Sequence, residues 1–178
     1  MIMKMEKRGC LYVGGDDSNH AGFSQGEIIV ATFSYNPADA ISERISRRRD
    51  LPEVMRWLRR PGSDYRFAIL TSEKYRHSGE NLVIVIPDLV ETFIHETQMP
   101  DSLNISLDGE LSESSRRLIK ERFSRGRIEV VVTNFEKGRI KRPYTTRMIY
   151  NADVLANSLY KNNTFEELST HKKLVLRR

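Results

Sequence analysis

Two adjacent carboxylates near the start of the chain, Asp16 and Asp17, have the types and spacing that suit metal chemistry. An apolar run and the pair Gly14-Gly15 precede them, so they stand where a strand should end. Two like charges side by side repel each other, which is unfavourable unless a cation or a basic group offsets the repulsion. The pattern predicts a metal site with hard oxygen ligands. A plain turn is the alternative, because Gly, Asp, Ser and Asn all form turns.

Two further acids, Asp108 and Asp153, occupy positions where a bound cation would offset their negative charge. Asp108 follows the alternating run Leu103-Asn104-Ile105-Ser106-Leu107, which predicts a half-buried strand. Asp153 lies in a predicted helix over residues 145–161, beside the apolar stripe rather than on an open polar face. Aspartate does not favour the middle of a helix. The alternative for Asp153 is a boundary residue bonded to a neighbour.

Composition limits the class of protein. A chain of 178 residues is long enough for one domain with a real core, and 39% hydrophobic with 30% charged residues is typical of a soluble globular protein. The single Cys10 excludes an internal disulfide, and the 4 His residues lack a paired ligand spacing. With neither a secretory signal nor an apolar run of about 20 residues, we expect a cytoplasmic protein without a membrane partner. The sequence predicts no particular oligomeric state.

Positive charge is clustered in two parts of the chain. Lys and Arg outnumber Asp and Glu by 29 to 24. Arginines crowd the segment 39–60, which has helical periodicity, and a second basic stretch forms the loop 137–144. Arginine suits bidentate phosphate contacts, so nucleic acid is the predicted partner and a solvated face is the alternative. The candidate phosphate-binding residues are Arg47, Arg48, Arg49, Lys137, Arg139, Lys141 and Arg142.

The predicted elements follow one another in the order strand, strand, strand, helix, strand, helix, strand, helix. The strands are expected near 9–17, 26–34, 65–71, 103–107 and 127–134, and the helices near 80–97, 112–126 and 145–161. This order, with acids closing the first and fourth strands and another on the final helix, resembles the ribonuclease H-like superfamily. The resemblance implies an α/β fold whose five-stranded mixed sheet has three antiparallel strands and then two parallel ones, flanked by helices. A single domain 1–178 would carry an Arg-rich helical insert at about 36–62 and a basic tail at about 162–178.

The motifs are most similar to those of the type 2 ribonucleases H, of which the chain would be a divergent member. The matching positions are Asp16-Asp17, Asp108-Gly109 and Asp153. In place of the family's Gly-Arg-Gly, which contacts the junctional ribose, this chain has Ser18-Asn19-His20-Ala21-Gly22, so Asn19 and His20 become the candidates for substrate contact. The resemblance implies that Asp16, Asp17, Asp108 and Asp153 bind Mg²⁺ or Mn²⁺ and catalyse phosphodiester hydrolysis by a two-metal mechanism. Whether the nucleic acid is RNA, DNA, a hybrid or a branched junction is left open.

Three alternatives accompany this prediction. Adjacent strand residues point to opposite faces, so Asp16 and Asp17 can share a metal only if the strand breaks or bulges, which Gly14-Gly15 would permit. Otherwise one of them is a ligand and the other acts through water. Gly14-Gly15-Asp16-Asp17 also resembles the turn of palm-domain polymerases and nucleotide cyclases, but we expect no nucleotide-binding half within the thirteen residues before it. The competing function is a non-catalytic nucleic-acid-binding or scaffold protein on the same fold.

Overall fold

A computed structural model describes residues 9–18, 27–44, 50–70, 78–109, 111–124, 128–135, 144–162 and 173–176. The elements within these ranges are, in chain order, β1 (Cys10–Asp17), β2 (Glu27–Ser34), β3 (Ser42–Arg44), α1 (Leu51–Leu58), β4 (Asp64–Leu70), α2 (Ser78–Glu96), β5 (Ser102–Asp108), α3 (Glu113–Ser124), β6 (Glu129–Phe135), β7 (Tyr144–Thr146), α4 (Arg147–Asn162) and β8 (Lys173–Leu176). A short 3₁₀ helix, Pro37–Ala40, follows β2. Among the described helices, none has the length and apolar character needed to cross a membrane.

Six strands form the main sheet, in the order β6-β5-β1-β2-β4-β8. β2 is antiparallel to both β1 and β4, while β5 runs parallel to β1 and β6 parallel to β5. These directions confirm the predicted mixed sheet of three antiparallel strands followed by two parallel ones. β1 is an interior strand, with β5 on one side and β2 on the other.

Helices cover both faces of the sheet. On one face, α2 and α3 pack over alternate residues of β1 and β5, including Leu11, Val13 and Leu103. On the other face, α4 and α1 pack over Ile28 and Val30 of β2. β2 is buried along its whole length because both of its faces are covered. The central strands are therefore held from two sides, and their carboxyl ends have a defined position.

The long apolar segment after β4 is a helix, as predicted. Its sequence suggested that Pro87 would either delay the start of the helix or kink it. The start is not delayed, because α2 begins at Ser78 and continues through Pro87 to Glu96. Leu82 on one side of the proline and Leu89 on the other are both buried in the same core. We infer that burial of this apolar stripe outweighs the hydrogen bond lost at the proline.

The prediction of a helical insert at about 36–62 is correct only for its second part. α1 is helical, with Pro52 in its first turn and Asp50 Oδ1 accepting a hydrogen bond from the Glu53 backbone N–H at 3.3 Å. Before it, β3 forms an antiparallel ribbon with β7, with Arg44 paired to Tyr144. Local periodicity indicated a helix here, but pairing with residues about a hundred positions later decided the conformation.

The basic tail also contains structure that the sequence did not predict. Residues 173–176 form β8, which runs parallel to β4 and adds a sixth strand at the edge of the predicted five-stranded sheet. A run of only three apolar residues, Leu174-Val175-Leu176, carries little periodic signal. The strand forms because β4 offers an edge with which it can pair.

Candidate active site

The carboxyl ends of β1 and β5 meet at one edge of the sheet. The two strands are parallel and in register, with Gly14 opposite Ser106 and Gly15 opposite Leu107. The next residues are Asp16 and Asp108, which therefore emerge side by side. Leu107 lies against the α2 face, where a side chain on Gly15 would meet it. Because side chains alternate between faces, Asp16 and Asp108 lie on the opposite face, the one covered by α4.

Helix α4 is seated directly on β1 because Gly14 has no side chain. A Cβ atom at this position would lie 2.3 Å from the backbone carbonyl carbon of Met148. Thr32 Oγ1 donates a hydrogen bond to the Met148 carbonyl oxygen at 2.8 Å, which fixes the register of the helix on the sheet. From Met148 to Asp153 the helix rises about 7.5 Å, and from Gly14 to Asp16 the strand advances about 6.6 Å. These similar advances agree with the electrostatic interaction between Asp153 and Asp16.

Asp16, Asp108 and Asp153, hereafter the three-acid site, interact electrostatically. Burial raises the pKa of Asp16 well above its ordinary value, and the charges of Asp108 and Asp153 raise it further. The Asp17 backbone N–H opposes this rise by donating to Asp16 Oδ1 at 2.8 Å. One strand and one helix thus bring two acids that are distant in sequence, Asp108 and Asp153, close enough to act on the buried carboxyl group of Asp16.

The side chains of the three-acid site do not form a ready metal-binding group. Within the described ranges, no three or more His, Cys, Asp or Glu side chains are arranged to hold one metal ion. The charges of Asp108 and Asp153 therefore act on Asp16 without the three side chains converging on a common ligand position.

The side chain of Asp17 lies on the other face of β1 from the three-acid site, although its charge also contributes to raising the pKa of Asp16. β1 pairs with β2 residue for residue from Tyr12 to Asp17, so the break or bulge that would turn Asp17 toward Asp16 does not occur in this stretch. Asp17 lies on the α2 face, where its charge acts on Glu27 of β2. The geometry is therefore that of the sequence alternative in which Asp16 and Asp17 do not share a metal ion. The two glycines serve packing instead, since each allows a helix to approach the strand.

Glu27 is a buried acid that the sequence did not single out. Burial raises its pKa to about 7, the charge of Asp17 raises it too, and a hydrogen bond from the side-chain amide of Asn81 opposes the rise. Asn81 is itself buried on α2. This contact joins α2 to the start of β2 on the face opposite the three-acid site.

We expect Glu27→Gln to stabilise the metal-free protein at pH 8 and to change it little at pH 5. Because the folded-state pKa of about 7 lies above the ordinary 4.5, the stability that protonation of Glu27 contributes is lost as the pH rises through about 7. The expected difference in unfolding free energy at pH 8 is on the order of 3 kcal/mol. Urea denaturation of both proteins in EDTA at the two pH values measures it. If the unfolding free energies of the two proteins changed with pH in parallel, the raised pKa of Glu27 would be wrong.

All the predicted nucleic-acid contacts lie outside the described residues. They are Asn19, His20, Arg47, Arg48, Arg49, Lys137, Arg139, Lys141 and Arg142. Residues to which these stretches connect are described: Phe135 at the end of β6 pairs with Asp108, and Arg44 of β3 pairs with Tyr144 of β7. The contacts themselves stay predictions.

Several residues that shape the site were missed from the sequence. Thr32 and Asn81 act through contacts with residues 116 and 54 positions away, and no local pattern reports such contacts. Asn157 was within reach of sequence reasoning, because it lies four residues after Asp153 and therefore on the same face of α4.

No protein-family model matches the chain, and no curated protein matches it either.

Proposed function

We propose that the protein is a divalent-metal-dependent nuclease with a ribonuclease H-like fold, which hydrolyses phosphodiester bonds of a nucleic acid at the three-acid site. One observation carries the proposal. The charges of Asp108 and Asp153 both act on the buried carboxyl of Asp16 at the end of an interior strand. Mutually repelling carboxylates are unfavourable for folding, and a cation that they share would relieve the repulsion.

The order of the sheet supports the proposal. In the main sheet β1, β2 and β4 are the first three strands along the chain and are antiparallel, whereas β5 and β6 follow as parallel strands. The acids lie at the ends of the first and fourth of these strands and on the last helix, which is the arrangement that the ribonuclease H-like resemblance implies. The resemblance covers the order of elements and these short motifs.

The donor chemistry fits Mg²⁺ or Mn²⁺. Carboxylate oxygens are the ligands that such hard cations prefer, and the raised pKa of Asp16 is the effect that a bound cation would reverse. Asp16, Asp108 and Asp153 would hold the ions, with Asp17 contributing its backbone N–H to Asp16. When bound, such ions activate a water molecule and stabilise the leaving oxygen in phosphodiester hydrolysis.

Two connections support nucleic acid as the partner. The basic stretch with Lys137, Arg139, Lys141 and Arg142 follows Phe135, which pairs with Asp108 of the site. The stretch with Arg47, Arg48 and Arg49 follows Arg44, whose partner Tyr144 comes just after the other basic stretch. Both stretches therefore leave the same end of the ribbon between β3 and β7. Positive charge from two distant parts of the sequence would contact the phosphate backbone together.

A non-catalytic nucleic-acid-binding or scaffold protein is the second candidate. It is favoured by the finding that, in the described part of the chain, no three potential ligands are already arranged to hold a metal ion. On such a protein the three acids would have no catalytic role, and binding to nucleic acid would not depend on a divalent cation.

Cleavage assays separate the two candidates. We expect the protein to cut at least one of single-stranded RNA, single-stranded DNA, an RNA–DNA hybrid or a branched junction in Mg²⁺ or Mn²⁺, and to cut none of them in EDTA. The control is binding of the same substrates in EDTA, which does not require catalysis. Binding without cleavage of any substrate in either metal would support the scaffold candidate and overturn the nuclease proposal.

A further inference from the structure

Asn157 on α4 is a buried amide that contacts one acid of the three-acid site. It lies one helical turn beyond Asp153, and only 5% of its surface is exposed. Its Nδ2 atom donates to Asp153 Oδ1 at 2.9 Å and to the Asp153 carbonyl oxygen at 2.7 Å. Asparagine is disfavoured inside helices because its side chain competes for backbone hydrogen bonds. Here the amide bonds back onto the preceding turn of its own helix, at the residue that carries one of the three acids.

The two hydrogen bonds of Asn157 link the Asp153 carboxylate to the backbone of α4. Side chains on a helix tilt toward its N-terminus, so the amide leans back over the turn that carries Asp153. The bond to the carbonyl oxygen ties the amide nitrogen to the helix backbone. The bond to Oδ1 then fixes one carboxylate oxygen relative to that backbone. Turning the carboxylate out of its present orientation would break this second, part-buried bond, which is unfavourable.

We propose that Asn157 is a positioning residue, whose amide holds the Asp153 carboxylate in the orientation in which it takes part in the three-acid site. The inference rests on the proposed function, since it assigns Asn157 a role toward the cation that the site would bind. Carboxylates that bind metals are commonly oriented by a further hydrogen bond. Loss of such a partner typically weakens metal binding by about 10- to 100-fold.

Two substitutions of similar size test the role of the amide. Asn157→Leu removes the donor, whereas Asn157→Gln keeps an amide that can still reach Asp153 at a spacing of four residues. Leucine and glutamine are both better helix formers than asparagine, so neither weakens α4 through propensity. We expect Mn²⁺ binding, measured by calorimetry on the full chain, to weaken about 10- to 100-fold in Asn157→Leu. Asn157→Gln should restore most of the affinity, and both variants should melt normally in EDTA.

A double-mutant cycle ties the effect to Asp153. In an Asp153→Asn background, Asn157→Leu should weaken residual Mn²⁺ binding no further, because the carboxylate that the amide positions is gone. If the Leu variant binds Mn²⁺ like the wild type, or if Leu and Gln weaken it equally, the positioning role is wrong while the metal site stands. If the wild type itself does not bind Mn²⁺, the proposed function fails and this inference fails with it.

Discussion

Asp108→Asn is expected to abolish both the thermal shift that Mn²⁺ produces and any nuclease activity, while leaving the metal-free protein at least as stable as the wild type. Asp108 ends β5 beside Asp16 and raises its pKa through charge repulsion. Asparagine keeps the size of the side chain but removes its negative charge. That charge repels Asp16 when no metal is bound and attracts the cation when one is present. Loss of metal binding should therefore come without loss of the fold.

The size of the Mn²⁺ effect can be estimated for the wild type. A ligand at a hundred times its dissociation constant stabilises the native state by about 2.7 kcal/mol. For a chain of this length that corresponds to a rise in melting temperature of about 5–10 °C. Differential scanning fluorimetry in EDTA and in Mn²⁺ measures the shift for the wild type and for Asp108→Asn.

Asp101→Asn is the matched control for this experiment. Asp101 stands just before β5, at the opposite end of the strand, where its carboxylate accepts a hydrogen bond from the Gly9 backbone N–H. The same chemical change there should leave the Mn²⁺ shift intact. A full Mn²⁺ shift in Asp108→Asn would remove Asp108 from the metal site. A wild type that gives no shift with any divalent ion would favour the scaffold candidate.

Gly14→Ala is expected to destabilise the protein by about 3 kcal/mol or more, at the upper end of the range for overpacked cores. The added Cβ would lie 2.3 Å from the Met148 carbonyl carbon and 2.6 Å from the Ile149 backbone nitrogen. Backbone atoms cannot rotate away, so α4 must move off the sheet. Because α4 carries Asp153, the Mn²⁺ shift should fall together with the stability. Thermal melts with and without Mn²⁺ measure both effects.

Gly15→Ala is the control for the preceding substitution. Its Cβ would approach Leu107 Cδ2 at 2.5 Å and Ile86 Cδ1 at 2.6 Å, which are the ends of side chains that can repack. The expected loss is smaller, about 1–2 kcal/mol, and it falls on the α2 face, away from α4. The Mn²⁺ shift should therefore persist in Gly15→Ala. Equal losses of stability and of Mn²⁺ response in the two variants would show that contact with Met148 does not position Asp153.

Local sequence patterns were sufficient to predict most elements and the acids at their ends. Strict alternation over 103–107 predicted β5, and the acid that follows it was therefore expected at a strand end. The apolar stripe of α4 placed Asp153 beside the core before any contact was known. These predictions succeed because periodicity depends only on neighbours along the chain, and burial of one face enforces the same periodicity in the fold.

Only the tertiary structure decided what depends on long-range partners. Asp16 and Asp17 are adjacent in sequence, yet continuous pairing with β2 places their side chains on opposite faces of the sheet. The charges of Asp108 and Asp153 act on Asp16, whereas the charge of Asp17 acts on Glu27. The ribbon of β3 with β7 and the edge strand β8 likewise form because distant segments offer hydrogen-bonding partners. From the sequence, Gly14-Gly15 was expected to let the strand bend. In the structure the strand continues without a break, and the missing side chains instead allow two helices to pack closely against β1 from opposite sides.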